Sequence, residues 1–191
     1  MGGFFVVNSL VIDTSTIRPT VGLVTRGNAI FAKFHEGATE HAEVLPILVK
    51  EALSINDEVS QVVVGMGPGP FTGLRVGITF AQSFALARGI PWVGVCSLDG
   101  IAIEANDYIV TTDARRKELY WARYASGRRV EGPAVARPED VSKREGMKYG
   151  FGVTEPLYPT VLALFNASLR ENFREPLYLR KPDAQPTSER R

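Results

Sequence analysis

The chain has 191 residues, of which 45% are hydrophobic and 23% charged, and its formal net charge is +1. This hydrophobic fraction excludes a disordered or collagen-like chain and predicts a globular protein with a real core. A single cysteine excludes a disulfide scaffold and a thiolate zinc site, and it fits a reducing compartment. A net charge near zero excludes binding of nucleic acid by bulk positive charge.

Strands and helices alternate over the first hundred residues. Turn residues separate the strands, and apolar residues at helical spacing mark the helices. We predict strands at 10–13, 21–24, 29–34, 61–65 and 92–96, and helices at 40–53, 72–88 and 98–105. The apolar run at 2–12 has no basic leader and is too short to span a bilayer, so we expect a cytoplasmic protein with no membrane contact.

The same order of elements then begins again, in a shorter form. We predict strands at 108–113, 118–124, 130–136 and 148–152, a helix at 160–169 and a disordered tail at 182–191. Asp13 and Asp113 end the first strand of each half. This repeat predicts an internally duplicated βββαβα unit in an α/β fold, with an N-terminal lobe at 1–106 and a reduced C-terminal lobe at 107–181.

Two such lobes facing a cleft form the architecture of actin, hexokinase and the Hsp70 ATPase. In that fold the strand-ending carboxylates and their turns flank the phosphates and metal of a nucleotide. Asp13, Thr14, Asp113 and Arg115 are therefore candidate, or vestigial, nucleotide-binding residues. The alternative is that aspartate simply favours turns at strand ends.

A loop rich in glycine and proline, residues 65–73, follows a strand and opens a helix, which is the geometry of an anion site. It lacks the Gly-Lys-Ser/Thr of a phosphate-binding P-loop. Pro68 and Pro70 have no N–H group to donate to a phosphate. We therefore interpret the loop as a rigid structural turn.

The helices at 40–53 and 72–88 are more apolar than one buried face requires. In the second helix, small residues recur every four positions and form a smooth ridge. The pattern is explained either by two helices buried in a monomer or by a docking face for a partner. The predicted docking residues are His41, Leu45, Leu48, Gly73, Leu74, Gly77 and Ala81.

Few residues suit catalysis. The only histidines are His35 and His41, no Gly-x-Ser-x-Gly nucleophile elbow occurs, and Cys96 at a strand end is expected to be buried and inert. We therefore predict no catalytic residues and no metal site. An ATP-dependent phosphotransferase or ATPase acting through Asp13 and Asp113 is the main alternative. A peptidase is a weaker one, since no credible nucleophile and base are present.

Four segments, taken in order along the chain, resemble the TsaB (YeaZ) family of bacterial tRNA threonylcarbamoyladenosine biosynthesis proteins. They are residues 11–15, 67–77, 113–122 and 175–180. The resemblance implies the two-lobed actin-like fold and a non-catalytic role beside TsaD, the larger paralogue that transfers the threonylcarbamoyl group. TsaD carries metal-binding histidines just after the strand that corresponds to 92–96, whereas this chain has Ser97-Leu98-Asp99-Gly100-Ile101-Ala102 there.

The resemblance also implies partners. It implies pairing with TsaD through helices of the first lobe, self-association through the same face, and recruitment of the ATPase TsaE. The modified base is the adenosine beside the anticodon in tRNAs that read codons beginning with A, and tRNA is expected to contact this chain only within the complex. The resemblance implies no tightly bound cofactor, but it allows ATP or ADP to bind at the TsaD interface. The chain is short for the family between Val141 and Glu175.

Overall fold

The computed structural model describes residues 7–37 and 40–180. A first sheet has the strand order β3-β2-β1-β4-β5. Its strands are β1 (Asn8–Asp13), β2 (Thr20–Thr25), β3 (Asn28–Phe34), β4 (Gln61–Gly65) and β5 (Trp92–Val95). β1, β2 and β3 are antiparallel, whereas β4 and β5 continue from β1 in parallel because helices connect them.

A second sheet repeats the order of the first four strands as β8-β7-β6-β9. Its strands are β6 (Asp107–Asp113), β7 (Leu119–Ala125), β8 (Arg128–Ala136) and β9 (Met147–Gly150). The second hairpin of each sheet turns at equivalent places, on Arg26-Gly27 and on Ser126-Gly127, all with positive φ. The chain therefore has the predicted two-lobed, internally repeated α/β fold of the actin type.

Both faces of the first sheet are covered by helices. α1 (His41–Ile55) and α2 (Phe71–Arg88) pack on one face and bury a row of aliphatic side chains from both helices and from β1, β2 and β4. The other face is covered by α4 (Val161–Ser168), whose Val161 and Leu164 contact Val11 and Val63. Within the described residues, the second lobe has one helix that packs on its own sheet, α3 (Pro138–Ser142) of 5 residues, so this lobe is reduced as expected.

The packing of α4 concerns the lobe boundary predicted between residues 106 and 107. The two sheets do divide there, between β5 and β6. However, α4 follows the second sheet along the chain and packs on the first. The segment 107–181 is therefore not a self-contained packing unit.

Two predicted elements differ from the structure. The helix predicted at 98–105 is only a 3₁₀ turn (Ser97–Gly100), because Gly100 packs closely on Leu164 and its carbonyl accepts a hydrogen bond from Thr160 N at 2.8 Å. The strand predicted at 148–152 ends at Gly150, since Gly150 and Gly152 both have positive φ. The predicted tail at 182–191 lies outside the described residues. None of the helices within the described ranges has the length and apolar character needed to cross a membrane.

The turn after β1 packs on glycines. Thr14 Oγ1 donates a hydrogen bond of 2.8 Å to the carbonyl of Gly73, and a Cβ on Gly77 would overlap that same hydroxyl. A Cβ on Gly69 would overlap the backbone of Ser15. The small-residue ridge of α2 is thus explained by a close approach within the chain.

We predict that Gly77→Ala lowers the free energy of unfolding by about 2 kcal/mol, because the added methyl group displaces Thr14 and its hydrogen bond. Urea denaturation measures this. Ser83→Ala, on the exposed side of the same helix, is the control and should leave stability nearly unchanged. Equal stability of Gly77→Ala and the unmodified protein would contradict the packing.

Candidate functional site

A cleft lies where the turn after β1 faces the turn after β6. It contains two cavities of about 290 and 360 Å³. Thr14 and His41 line the smaller cavity, Asp113 lines the larger, and Arg115 lines both. The structure therefore brings three of the four predicted nucleotide-binding residues, Thr14, Asp113 and Arg115, to one cleft.

Asp13 lines neither cavity. Its side chain is fully buried, and Oδ1 accepts hydrogen bonds from Ser15 N at 2.9 Å and Ser15 Oγ at 2.7 Å. Oδ2 lies against Gly65 and has no hydrogen-bond partner of good geometry among the described residues, although the Ser97 hydroxyl is close. Burial raises the pKa of the Asp13 carboxyl, and the nearby Ser97 hydroxyl and the Ser15 hydrogen bonds oppose this in part. Asp13 therefore holds the turn and does not face a ligand.

Asp113 is partly exposed but is engaged by its own turn. Oδ1 accepts a hydrogen bond from Arg115 N at 2.7 Å, and the Arg115 guanidinium lies 3.4 Å from Oδ2. Arg115, Arg116 and Lys117 all have positive φ, so this turn is tightly wound. The second-lobe side of the cleft thus presents a carboxylate that is already paired with a cation.

The predicted docking residues lie mostly inside the chain. Leu45, Leu48, Leu74 and Ala81 are buried in the core between the helices and the first sheet. Gly77 is buried against Thr14. These five residues cannot contact a partner directly, and the prediction was wrong about which side of the helices is free. Helical spacing shows which residues share a face of the helix, but it does not show whether the core or a partner packs against that face.

His41 and Gly73, the other two predicted docking residues, lie at the cleft. His41 is buried, and its Nε2 is 2.7 Å from the carbonyl of Thr16. Gly73 accepts the hydrogen bond from Thr14, and a Cβ there would come 2.8 Å from the Thr14 carbonyl. Both residues therefore hold the turn after β1 against the two helices.

The exposed apolar side chains of α1 and α2 are different ones. Ile47 is 57% exposed and Leu86 is 84% exposed. Val76, Phe80 and Phe84 are half-buried, and the two phenylalanine rings stack at 6.3 Å between centroids. We call the two exposed residues, Ile47 and Leu86, the outer face of α1 and α2; helical spacing places Phe84 about 160° around α2 from Leu86, so the phenylalanine pair lies on another side of that helix. In the sequence, Ile47 and Leu86 could be recognised as apolar residues that lie off the buried stripe of their helix.

The residues suited to metal binding or covalent chemistry are dispersed or engaged. No group of three or more His, Cys, Asp or Glu side chains within 7–37 and 40–180 is placed to hold a metal ion. His35 Nε2 lies 3.0 Å from Glu40 at the surface, far from any second ligand of this kind. Burial raises the pKa of Cys96 to about 12, so this thiol is not reactive.

Comparison with known proteins identifies the family. The profile described as TsaD, tRNA N6-adenosine threonylcarbamoyltransferase, matches residues 35–157. The Escherichia coli tRNA threonylcarbamoyladenosine biosynthesis protein TsaB is 35% identical over 161 residues, which cover 76% of this chain and 69% of that protein. The chain belongs to the TsaB (YeaZ) family.

Two further relatives show how far the likeness extends. A Mycobacterium leprae protein is 42% identical over 200 residues and covers 93% of this chain, but the chain spans only 56% of that protein. A Pseudomonas aeruginosa structure, described as similar to the peptidase YeaZ, superposes with a TM-score of 0.77 at 26% identity. It covers 91% of this chain and 100% of its own. The TsaB fold thus accounts for nearly all of the described residues.

The buried Asp13 makes a testable prediction about stability. Because its pKa is raised above 3.8 in the folded state, the folded protein holds this proton to higher pH than the unfolded chain does. Its contribution to stability therefore falls as pH rises above about 4. We predict that the stability of Asp13→Asn, relative to the unmodified protein, increases between pH 4 and pH 7. Urea denaturation across this range measures it, and a relative stability that falls with pH would contradict the burial.

Proposed function

We propose that this chain is a non-catalytic, cytoplasmic subunit in the biosynthesis of threonylcarbamoyladenosine in tRNA. In this proposal it pairs with a TsaD transferase, which carries out the transfer to N6 of adenosine, and the pair recruits TsaE. Membership of the TsaB family supports the pathway, since the E. coli relative is named for it.

The buried state of Asp13 is the observation that supports a non-catalytic role. A phosphotransferase of the actin type needs the carboxylate of β1 at the cleft, where it can reach a metal-bound nucleotide. Here that carboxylate is fully buried and bonded to Ser15. In addition, Asp113 is paired with Arg115 of its own turn. The cleft thus lacks a free acidic group at both of the positions where such an enzyme requires one.

We propose that the outer face of α1 and α2 is the surface that pairs with TsaD, and with a second copy of this chain when TsaD is absent. Large apolar side chains exposed on neighbouring helices are typical of helix–helix interfaces. The exposure of Ile47 and Leu86 supports this. The inner side of both helices is occupied by the core, so docking requires no opening of the lobe.

An ATPase or phosphotransferase is the second candidate, because Thr14, Asp113 and Arg115 do line one cleft. ATP turnover by the isolated protein distinguishes the two proposals. Turnover that is lost in Asp13→Asn would favour the enzyme. No turnover, together with TsaD-dependent activity, would favour the subunit.

We predict that the double substitution Ile47→Glu, Leu86→Glu prevents pairing with TsaD and lowers the threonylcarbamoyladenosine content of cellular tRNA at least about tenfold, because it places charges in an apolar interface. Mass spectrometry of tRNA nucleosides, in cells that depend on this chain, measures the modification.

Val130→Glu is the matched control. Val130 is 58% exposed, like Ile47, but lies on β8 in the other lobe. It should retain pairing and modification. Full pairing by the double variant would refute the proposed interface, and full modification without any pairing would refute the proposed role.

A further inference from the structure

A second open surface lies on the opposite face of the first sheet from α1 and α2. A groove of about 940 Å³ runs between α4, the segment after the 3₁₀ turn, and the turn that joins β7 to β8. Because α4 covers the face of the sheet that α1 and α2 leave open, this groove is separate from the outer face of α1 and α2.

Apolar side chains form much of the groove. Ile101 and Ile103 line one side, and Ala163 and Leu169 line the other. Leu169 is 69% exposed although it directly follows the last turn of α4. An apolar side chain bound between these two sides would therefore be removed from water on both sides.

A network of ion pairs and hydrogen bonds lies at one end of the groove's lining. Arg129 Nε donates to Asp99 Oδ1 at 3.0 Å, and Arg129 Nη2 donates to Glu171 Oε2 at 2.6 Å. Tyr124, whose ring stacks on Tyr108 at 5.0 Å, donates its hydroxyl to Asp99 at 2.7 Å. This network joins the first lobe, the second lobe and the C-terminal segment. Arg129 is the shared partner of both carboxylates that line the groove, so these three side chains together carry one net negative charge.

Two more guanidinium groups line the groove without a carboxylate. Arg128 is exposed, and among the described residues it forms no ion pair. Arg170 is also exposed, and it donates to the carbonyl of Gly127 at 3.1 Å rather than to an acid. Three arginines and two carboxylates line the groove, so the lining carries a net charge of +1, and Arg128 and Arg170 are the two cations without a carboxylate partner among the described residues.

We propose that this groove docks a segment of a partner protein in which acidic residues flank a large apolar side chain. The apolar side chain would lie between Ile103 and Leu169, and the carboxylates would pair with Arg128 and Arg170, where such charge-assisted hydrogen bonds are strong. A nucleic acid fits less well, because the exposed apolar side chains of the groove are aliphatic, and the two tyrosines that line it, Tyr108 and Tyr124, are buried and stacked on each other.

Peptide titration of the full chain tests this. The probe is the synthetic peptide acetyl-Glu-Asp-Leu-Phe-Asp-Glu-amide. Its binding is measured by backbone amide NMR of the isotope-labelled protein and by fluorescence anisotropy of a dye-labelled peptide. We expect shifts confined to residues 101–103, 127–129 and 163–171. We expect Arg128→Ala with Arg170→Ala to weaken binding at least about tenfold, the loss of two charge-assisted bonds. Arg137→Ala, at another exposed arginine, should not weaken it.

Three outcomes would overturn the proposal. One is no binding of the acidic peptide at millimolar concentration. Another is equal binding of a peptide in which glutamine replaces each acid. The third is binding of an octauridylate, but not the peptide, to the same residues, which would make the groove a nucleic-acid surface. The amide spectra of the variants show directly whether each one is folded, so a loss of binding cannot be confused with unfolding.

Discussion

The structure depends on the close approach of the turn after β1 to a row of glycines. Gly65, Gly69, Gly73 and Gly77 recur every four residues, through the end of β4, the following loop and the start of α2. Each leaves space for a group of the Asp13–Ser15 turn: the Asp13 carboxylate, the Ser15 backbone and, twice, Thr14. A side chain at any of the four would overlap the Asp13–Ser15 turn, so one constraint shapes both the packing of this turn and the first-lobe side of the cleft.

The same constraint shapes what the molecule can do. The close packing turns the Asp13 carboxylate inward, towards Gly65 and Ser97, and leaves Thr14 at the cleft with Asp113 and Arg115. The cleft of an actin-type enzyme is therefore retained without a carboxylate from its first strand. The surfaces proposed to bind partners therefore lie elsewhere, on the outer face of α1 and α2 and in the groove beside α4.

Much of the fold could be predicted from local patterns. Alternating apolar residues and turn glycines indicated all nine strands of the described ranges, and the pair Asp13 and Asp113 revealed the repeat. The position of α4 could not be predicted, because nothing in Val161–Ser168 says which sheet its apolar side will cover. Packing between distant segments decides this, as it also decides that Gly100 ends a 3₁₀ turn against Leu164.

The candidate site was predicted less completely than the fold. The residues that line the cleft were identified, since turn residues at strand ends are visible in the sequence. Which side of the helices is exposed could not be predicted. Helical periodicity correctly grouped Leu45, Leu48 and Ala81 with other apolar residues, but a stripe buried in the core and a stripe that docks a partner have the same period. Whether Gly77 meets Thr14 or a partner depends on a contact across 63 residues of chain, which local spacing does not contain.

Size-exclusion chromatography with light scattering, on this protein alone and mixed with the TsaD of its own organism, tests the central claim most directly. Our account predicts that the protein alone self-associates as a homodimer, and that it exchanges into a one-to-one complex when TsaD is added. A protein that remains a monomer and elutes apart from TsaD would contradict the subunit role, and would direct attention to nucleotide turnover at the cleft.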